Sequence, residues 1–208
     1  KTKEIEVRDF IKNFMNDGEV FFDIGANIGV FSVFAAKYHQ NSNIYCFEAE
    51  YSNLDLLKKN IFANGVNKRV KIFSVGISDK VGFSNLNLSN IEPGSAVHTE
   101  NLDHISKTDE GYEVVWKEGI MTSTLDYFCE VNKIVPDCIK LDTDGNELKI
   151  LRGAFKTLKN FKLKNIIIEM PLHDIEQTKN CEKILKESGF QLYWSERDKN
   201  NRNEIWTK

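Results

Sequence analysis

Long hydrophobic runs are missing from this sequence. No apolar stretch approaches the roughly 20 residues that a membrane-spanning helix needs, so no membrane span is expected. Proline is scarce, with three in 208 residues, and no low-complexity or Pro-rich linker divides the chain. One domain over residues 1–208 is the expectation. Only four cysteines occur (Cys46, Cys129, Cys138 and Cys181), far apart and without a C-x-x-C pair. The four histidines (His39, His98, His104 and His173) show no zinc spacing. These absences argue against a disulfide scaffold or a zinc module and fit free thiols in a reducing cytoplasm. Positive charge is not in excess either: the formal net charge is -3 and the pI about 5.9. That argues against a nucleic-acid partner held through phosphate contacts. No signal-peptide pattern is present, although the sequence opens at Lys1 rather than Met, and a cytoplasmic location is expected.

What is present is ordinary for a globular protein with a sizeable core, at 41% hydrophobic and 28% charged residues. The stretch Val20–Val30 reads V-F-F-D-I-G-A-N-I-G-V. It is a short apolar strand with Asp23 near its carboxyl end, then a turn through Gly25 and Gly29, then a helix. A dinucleotide fingerprint would need glycine at the first, third and sixth turn positions, which hold Gly25, Asn27 and Val30. No Gly-Lys-Ser/Thr follows, which excludes a P-loop. An acidic strand end with a two-glycine turn suits an adenosine ligand bearing a cationic amino acid, namely S-adenosylmethionine. The plainer alternative is a buried strand-turn whose glycines serve packing.

Along the chain, residues 1–17 read as a leading helix with Phe10, Ile11 and Phe14 on one face. A second strand, Asn43–Glu48, ends in a carboxylate about 20 residues after the glycine turn, where nucleotide-binding βαβ units place a ribose ligand. A helix from about Ser52 follows, then a strand Val70–Val75 leading into Ser78-Asp79. Gly82–Leu88 and Tyr112–Ile120 read as strands of a hairpin flanking an irregular excursion. Ser123 or Thr124 caps the next helix. A fourth strand, Asp137–Leu141, runs into Asp142-Thr143-Asp144-Gly145-Asn146-Glu147, and a helix carrying Leu148, Leu151, Phe155 and Leu158 follows. The fifth strand, Asn165–Met170, carries Glu169. Phe190–Trp194 and Glu204–Thr207 close the chain as a hairpin. Five β–α units followed by a hairpin specify an α/β protein with a mostly parallel, doubly wound sheet and one antiparallel strand.

Ligands of such sheets sit beyond the carboxyl ends of the strands. Five of those ends carry polar groups: Asp23, Glu48, Ser78-Asp79, Asp142 and Glu169. Asp142 and Asp144 also stand where helix caps belong. D-I-G-A-N-I-G, F-E, S-D, T-L-D and I-K-L-D-T-D-G-N-E with L-R-G-A close behind resemble the FkbM-type S-adenosylmethionine-dependent methyltransferases. The resemblance runs from about Val20 to Met170. It implies a Rossmann-like class I methyltransferase fold with a seven-stranded sheet and helices on both faces. It also implies O-methylation of sugars, polyketides and related secondary metabolites. Asp23, Gly25, Asn27 and Gly29 would line the methionine end of the cofactor, Glu48 would hold the ribose, Ser78 and Asp79 would border the adenine, and Asp142 would face the reacting centre. The family pattern D-V-E-G is D-T-D-G here, so Asp144 stands where Glu is usual.

Methyl transfer to an alcohol needs a nucleophile placed about 3 Å from the methyl carbon and a destination for its proton. Asp142, Glu169 and His173 are the candidates. Asp142 and Glu169 could share a Mg²⁺, but two acids are a thin ligand set and no metal site is assigned. Lys140 points to the same side of its strand as Asp142 and could pair with an acid there. Residues 83–121 are expected to shape the acceptor pocket, with the Ser95 turn, His98 and Trp116 as candidate contacts and a solvated loop as the plainer reading of the same residues. The acceptor is read as a small molecule or glycan. The competing readings are a non-catalytic S-adenosylmethionine-binding module and a methyltransferase with a nitrogen acceptor; a nicotinamide oxidoreductase is opposed by the missing glycines.

Overall fold

In the computed structural model, residues 5–95, 98–99, 113–171, 174–197 and 201–208 are described. The central layer is a seven-stranded sheet built from β1 (Val20–Ile24), β2 (Asn43–Glu48), β3 (Val70–Ser74), β8 (Cys138–Leu141), β9 (Asn165–Pro171), β10 (Gln191–Arg197) and β11 (Asn201–Thr207). Its order is β10-β11-β9-β8-β1-β2-β3. The five strands from β3 to β9 are parallel. β11 runs antiparallel to both β9 and β10. The mostly parallel sheet with its antiparallel C-terminal hairpin is the architecture expected from the alternation of strands and helices.

The apolar strands are buried on both faces, and each face carries its own core. On one, α1 (Ile5–Phe14) and α2 (Val30–Tyr38) bring Phe10, Ile11, Ala35 and Ala36 against Phe21, Ile44 and Cys138. On the other, α4 (Leu125–Asn132), α5 (Glu147–Arg152), α6 (Phe155–Lys159) and α7 (Ile175–Glu187) cover Phe22, Phe47, Ile139 and Ile168. Phe128 of α4 is the hub of an aromatic group there, with ring centroids 4.7 Å from Phe73, 4.8 Å from Phe47 and 5.7 Å from Phe22. Edge-to-face pairs of this kind add roughly 0.5–1.5 kcal/mol each beyond area burial. All four cysteines are buried free thiols.

A second, four-stranded sheet branches from the end of β3. β4 (Gly76–Ile77), β5 (Gly82–Leu88), β6 (His98–Thr99) and β7 (Trp116–Ser123) lie in the order β4-β7-β5-β6. β5 and β7 form the antiparallel pair expected from the sequence, from Gly82↔Thr122 to Leu88↔Trp116.

Several boundaries differ from the sequence reading. α3 (Tyr51–Ala63) is capped by Glu50, which accepts from the amides of Ser52 and Asn53, so the helix starts ahead of Ser52. β7 extends to Ser123, three residues past the expected end of the return strand, and the expected start at Tyr112 lies outside the described residues. The single helix read through Leu148, Leu151, Phe155 and Leu158 is two short helices broken at Gly153-Ala154. The break lets Gly153 pack on the Ser78 carbonyl, where a Cβ would stand 2.2 Å from the oxygen. Phe155, read on one helix with Leu148, Leu151 and Leu158, is exposed.

Phe128→Ala removes the hub of the aromatic group and is expected to destabilise the fold by about 3–5 kcal/mol. Urea unfolding checks this: a loss under about 1 kcal/mol would mean that the rings around it collapse into the space.

Candidate active site

β1 is flanked by β2 on one side and β8 on the other, and the chain leaves it in opposite directions to reach them. A crevice therefore opens beyond the carboxyl ends of β1 and β8. The turn after β1 folds into it. The Gly25 and Ala26 amides both donate to the Phe47 carbonyl at 3.0 Å, which fixes the turn against β2. Gly25 has φ +75°, and a Cβ there would lie 1.8 Å from the Asp142 backbone oxygen. No side chain fits that approach. Asn27 is left-handed at φ 48°, and its own Oδ1 accepts from the Ile28 amide at 2.7 Å. Asn tolerates this backbone better than most residues.

Asp23 is fully buried beneath α2. Its Oδ2 accepts from Ser32 Oγ at 2.5 Å, and its Oδ1 lies 3.4 Å from Lys140 Nζ. The same ammonium donates to the Gly25 carbonyl at 3.0 Å, lies 3.3 Å from Asp142 Oδ2 and sits over the Phe31 ring. The pairing of Lys140 with an acid is thus realised twice.

Glu48 ends β2 with its carboxylate turned to the turn. Oε2 accepts from the Asn27 amide at 2.7 Å, and Oε1 accepts from the Ala49 and Glu50 amides at 2.9 Å. Burial pushes its pKa upward, and these three amides work against that shift. A carboxylate offers about four lone-pair sites, so acceptor capacity remains. Above the turn, Asn27 Nδ2 donates to the Ser95 carbonyl at 3.0 Å, and the Gly94 amide donates to Asn53 Oδ1 at 2.7 Å. The excursion between β5 and β6 therefore reaches back over the site.

The loop from Asp142 to Asn146 is organised by Glu147, to which the sequence reading gave no role. Its Oε1 accepts from the Thr143 amide and Thr143 Oγ1, both at 3.0 Å, and from the Gly145 amide at 3.3 Å. These bonds hold two consecutive left-handed residues, Asp144 at φ 50° and Gly145 at φ 103°. Glu147 is wholly buried and its pKa is pushed up to about 7, chiefly by burial. Glu169 is pushed up to about 9 by burial and by the charges of Asp142, Asp144 and Glu147, with Lys140 opposing. Burial and the surrounding acids thus favour the protonated form of Glu169. Asp142 and Glu169 share a recess of about 10 Å³ with Val7, Lys140, Leu141, Ile167 and Asn203. That is close to the space one water or one hydroxyl group occupies. No signal in the sequence could have placed Asn203 here, because its position depends on the register of the final hairpin.

Ser78 and Asp79 follow β4. Ser78 is buried, with its amide donating to the Ser123 carbonyl and its own carbonyl against Gly153; Asp79 is exposed. A separate cleft of about 300 Å³ lies at the ends of β2 and β3, lined by Ala49, Tyr51, Ser74, Val75, Phe83, Gly119, Ile120 and Met121. Trp116 is exposed. His173 and the side chain of His98 lie outside the described residues. Among the described residues, no group of three or more His, Cys, Asp or Glu side chains is arranged to hold a metal ion.

Glu147 holds its proton more tightly in the folded chain than at its ordinary value of 4.5. Between about 4.5 and about 7 the folded state thus binds more protons than the unfolded one, and this contribution to stability is lost as pH rises through that window. Glu147→Gln keeps an oxygen for Thr143 and Gly145 but cannot titrate. It is expected to flatten the fall of unfolding free energy over that range, measured by urea titration at successive pH values. An unchanged slope would place the dependence on other groups.

Comparison with known proteins agrees with this geometry. The chain is 26% identical over 162 residues to the 31-O-demethyl-FK506 methyltransferase FkbM of Streptomyces tacrolimicus, an alignment covering 67% of this chain and 61% of that protein. Among solved structures it is similar to methyltransferase FkbM of Methylobacillus flagellatus, with a TM-score of 0.62 and 16% identity over 93% of this chain and 44% of that one. It also resembles a candidate tRNA (m1A22) methyltransferase of Streptococcus pneumoniae, solved in complex with S-adenosyl-L-methionine. That match has a TM-score of 0.59 and 12% identity over 100% of this chain and 72% of that one. The chain thus spans less than two thirds of the length of the two FkbM relatives. Residues 23–192 match the Methyltransferase FkbM domain, and with the acids and glycine turn in the order described, the chain belongs to that family.

Proposed function

We propose that this chain is an S-adenosylmethionine-dependent O-methyltransferase whose acceptor is a hydroxyl on a saccharide, glycoconjugate or secondary metabolite. The observation that carries the reading is the hydroxyl-sized recess between Asp142 and Glu169, joined to the glycine turn through Lys140. The name of the Streptomyces tacrolimicus relative, which specifies a 31-O-demethyl substrate, supports an oxygen acceptor.

The residues fit the cofactor. Gly25, Asn27 and Gly29 form an open-sided turn, with Asp23 buried beneath it, at the methionine end. The first turn of α2 has no side-chain cap, leaving amides for a carboxylate. Glu48 would take the ribose hydroxyls on its remaining acceptor sites, and Ser78 and Asp79 would border the adenine. When bound, S-adenosylmethionine supplies an electrophilic methyl group on a sulfonium. Asp142, charge-paired with Lys140, would receive the acceptor's proton as its oxygen bonds to the methyl carbon. Glu169, in its protonated form, would donate a hydrogen bond to the acceptor instead of serving as the first base. His173, near the end of β9, is a further candidate base. Residues 83–121 would form the outer wall of the acceptor pocket, and the contacts of Gly94 and Ser95 with Asn53 and Asn27 support that placement. No Mg²⁺ is assigned a step.

Calorimetric titration with S-adenosylmethionine is expected to show micromolar binding, and NAD⁺ none. Glu48→Ala should weaken that binding more than tenfold with folding retained. Asp142→Asn should lower kcat by about 10²–10⁴, the usual range for loss of general-base help, with cofactor affinity nearly unchanged. Fully active Asp142→Asn would remove it as the base. Binding without turnover on any acceptor would favour a non-catalytic module, and turnover confined to amines a nitrogen acceptor.

A further inference from the structure

The recess has a wall that the methyltransferase chemistry above does not use. Asn203 of β11 stands directly opposite Glu169 in the β9–β11 ladder and lines the recess with it. Its Nδ2 donates to Glu6 Oε1 of α1 at 2.8 Å. A carboxylate can only accept, so this bond decides which way the amide faces: nitrogen toward α1, Oδ1 to the opposite side. Oδ1 is thereby left as the group that Asn203 can offer a ligand in the recess it lines. Beside it, Glu169 in its protonated form donates, while Asp142 accepts. Among the described residues lining the recess, Lys140 alone is cationic, and it is already engaged by Asp23, Asp142 and the Gly25 carbonyl. Asp144 and Glu147 add negative charge close behind.

We infer that Asn203, oriented by Glu6, positions the acceptor, and that the acceptor is a neutral polyhydroxylated molecule instead of a phosphorylated or carboxylated one. The inference rests on the methyltransferase reading and narrows its substrate class. One hydroxyl fills the recess against Asp142, and a neighbouring hydroxyl stays at its rim, where it donates to Asn203 Oδ1 while accepting from Glu169. An anionic group at the same place would meet an oxygen-lined wall with no free cation among the described residues, which costs binding even in partly solvated sites. Two adjacent hydroxyls on a rigid ring match donor and acceptor groups fixed on neighbouring strands.

The test uses the full chain saturated with S-adenosylhomocysteine. The Asn203 side-chain amide signals are identified in ¹H–¹⁵N spectra as the pair that Asn203→Ala removes. The protein is then titrated with a panel of methyl glycosides (gluco, galacto, manno, fuco and rhamno) and with the matched sugar phosphates. At least one neutral glycoside is expected to move the Asn203 signals, and its phosphate to bind at least tenfold more weakly. Asn203→Ala and Asn203→Asp should each weaken that glycoside about tenfold, leaving S-adenosylhomocysteine affinity within twofold. In methyl-transfer assays the loss should appear in KM more than in kcat. Glu6→Gln, which lets the amide turn over, should shift the Asn203 signals and weaken the glycoside as well. Tighter binding of the phosphates, an Asn203→Ala variant with unchanged glycoside affinity, or no response to any glycoside would overturn the inference while leaving the methyltransferase reading intact. Failure of S-adenosylhomocysteine itself to bind would overturn that reading, and this inference with it.

Discussion

One buried ammonium ties the site together. Lys140 stands opposite Asp23 in the β1–β8 ladder, and its Nζ reaches Asp23, Asp142 and the Gly25 carbonyl. Taking charges out of water costs several kcal/mol per ion and is recovered only where the geometry satisfies every partner. Here the recovery is partial: Ser32 donates to Asp23 Oδ2 and the ring of Phe31 covers the ammonium, while Asp23 Oδ1 faces the ammonium at 3.4 Å without a hydrogen bond. The consequence is mechanical as well as electrostatic. The end of β1, the glycine turn, α2 and Asp142 at the end of β8 are all referred to one atom, so none of them can shift without breaking a buried contact. Removing the ammonium would leave Asp23 charged and alone in the core, a change of the class that typically costs about 3–5 kcal/mol.

The alternation of strands and helices, and the acids at the strand ends, were legible in the sequence because both rest on local pattern. Apolar runs such as Val20–Ile24 and Asn43–Phe47 can only be strands buried on two faces, and acids recurring at their ends mark one edge. The pairing of Lys140 with an acid followed from the two-residue period of a strand. What escaped the reading was set by tertiary contact. Nothing local to Leu148–Leu158 says that the helix must break; the break at Gly153 is imposed by the Ser78 carbonyl, far away in the chain. Glu147 read as one acid in a polar run, and only its burial reveals that it holds the loop. Glu50 took the cap because its carboxylate sits where the Ser52 and Asn53 amides converge, although Ser is the commoner choice.

The fold by itself does not select an acceptor. A sequence relative carries a name that specifies a 31-O-demethyl-FK506 substrate, and a structural neighbour one that specifies a tRNA. Selection has to come from the groups at the rim, and there the charge is one-sided. Asp142, Asp144, Glu147 and Glu169 gather around a single lysine. Such a cluster cannot be fully ionised in a half-buried place. The burden falls chiefly on Glu169 and Glu147, whose pKa values burial and neighbouring negative charge push upward, while Asp142 lies 3.3 Å from the ammonium.

The departure from the family pattern at residue 144 belongs to the same balance. Asp144 sits at φ 50°, a left-handed backbone that Asp and Asn enter more readily than longer residues. A shorter side chain therefore relieves the turn that Glu147 clamps. It also keeps that negative charge closer to the loop, near enough for Glu169 to feel it. The substitution eases the backbone while preserving the field that favours a protonated Glu169. A protonated Glu169 facing Asn203 gives the recess a donor and an acceptor side by side, the pairing that a diol requires and that an anion would oppose.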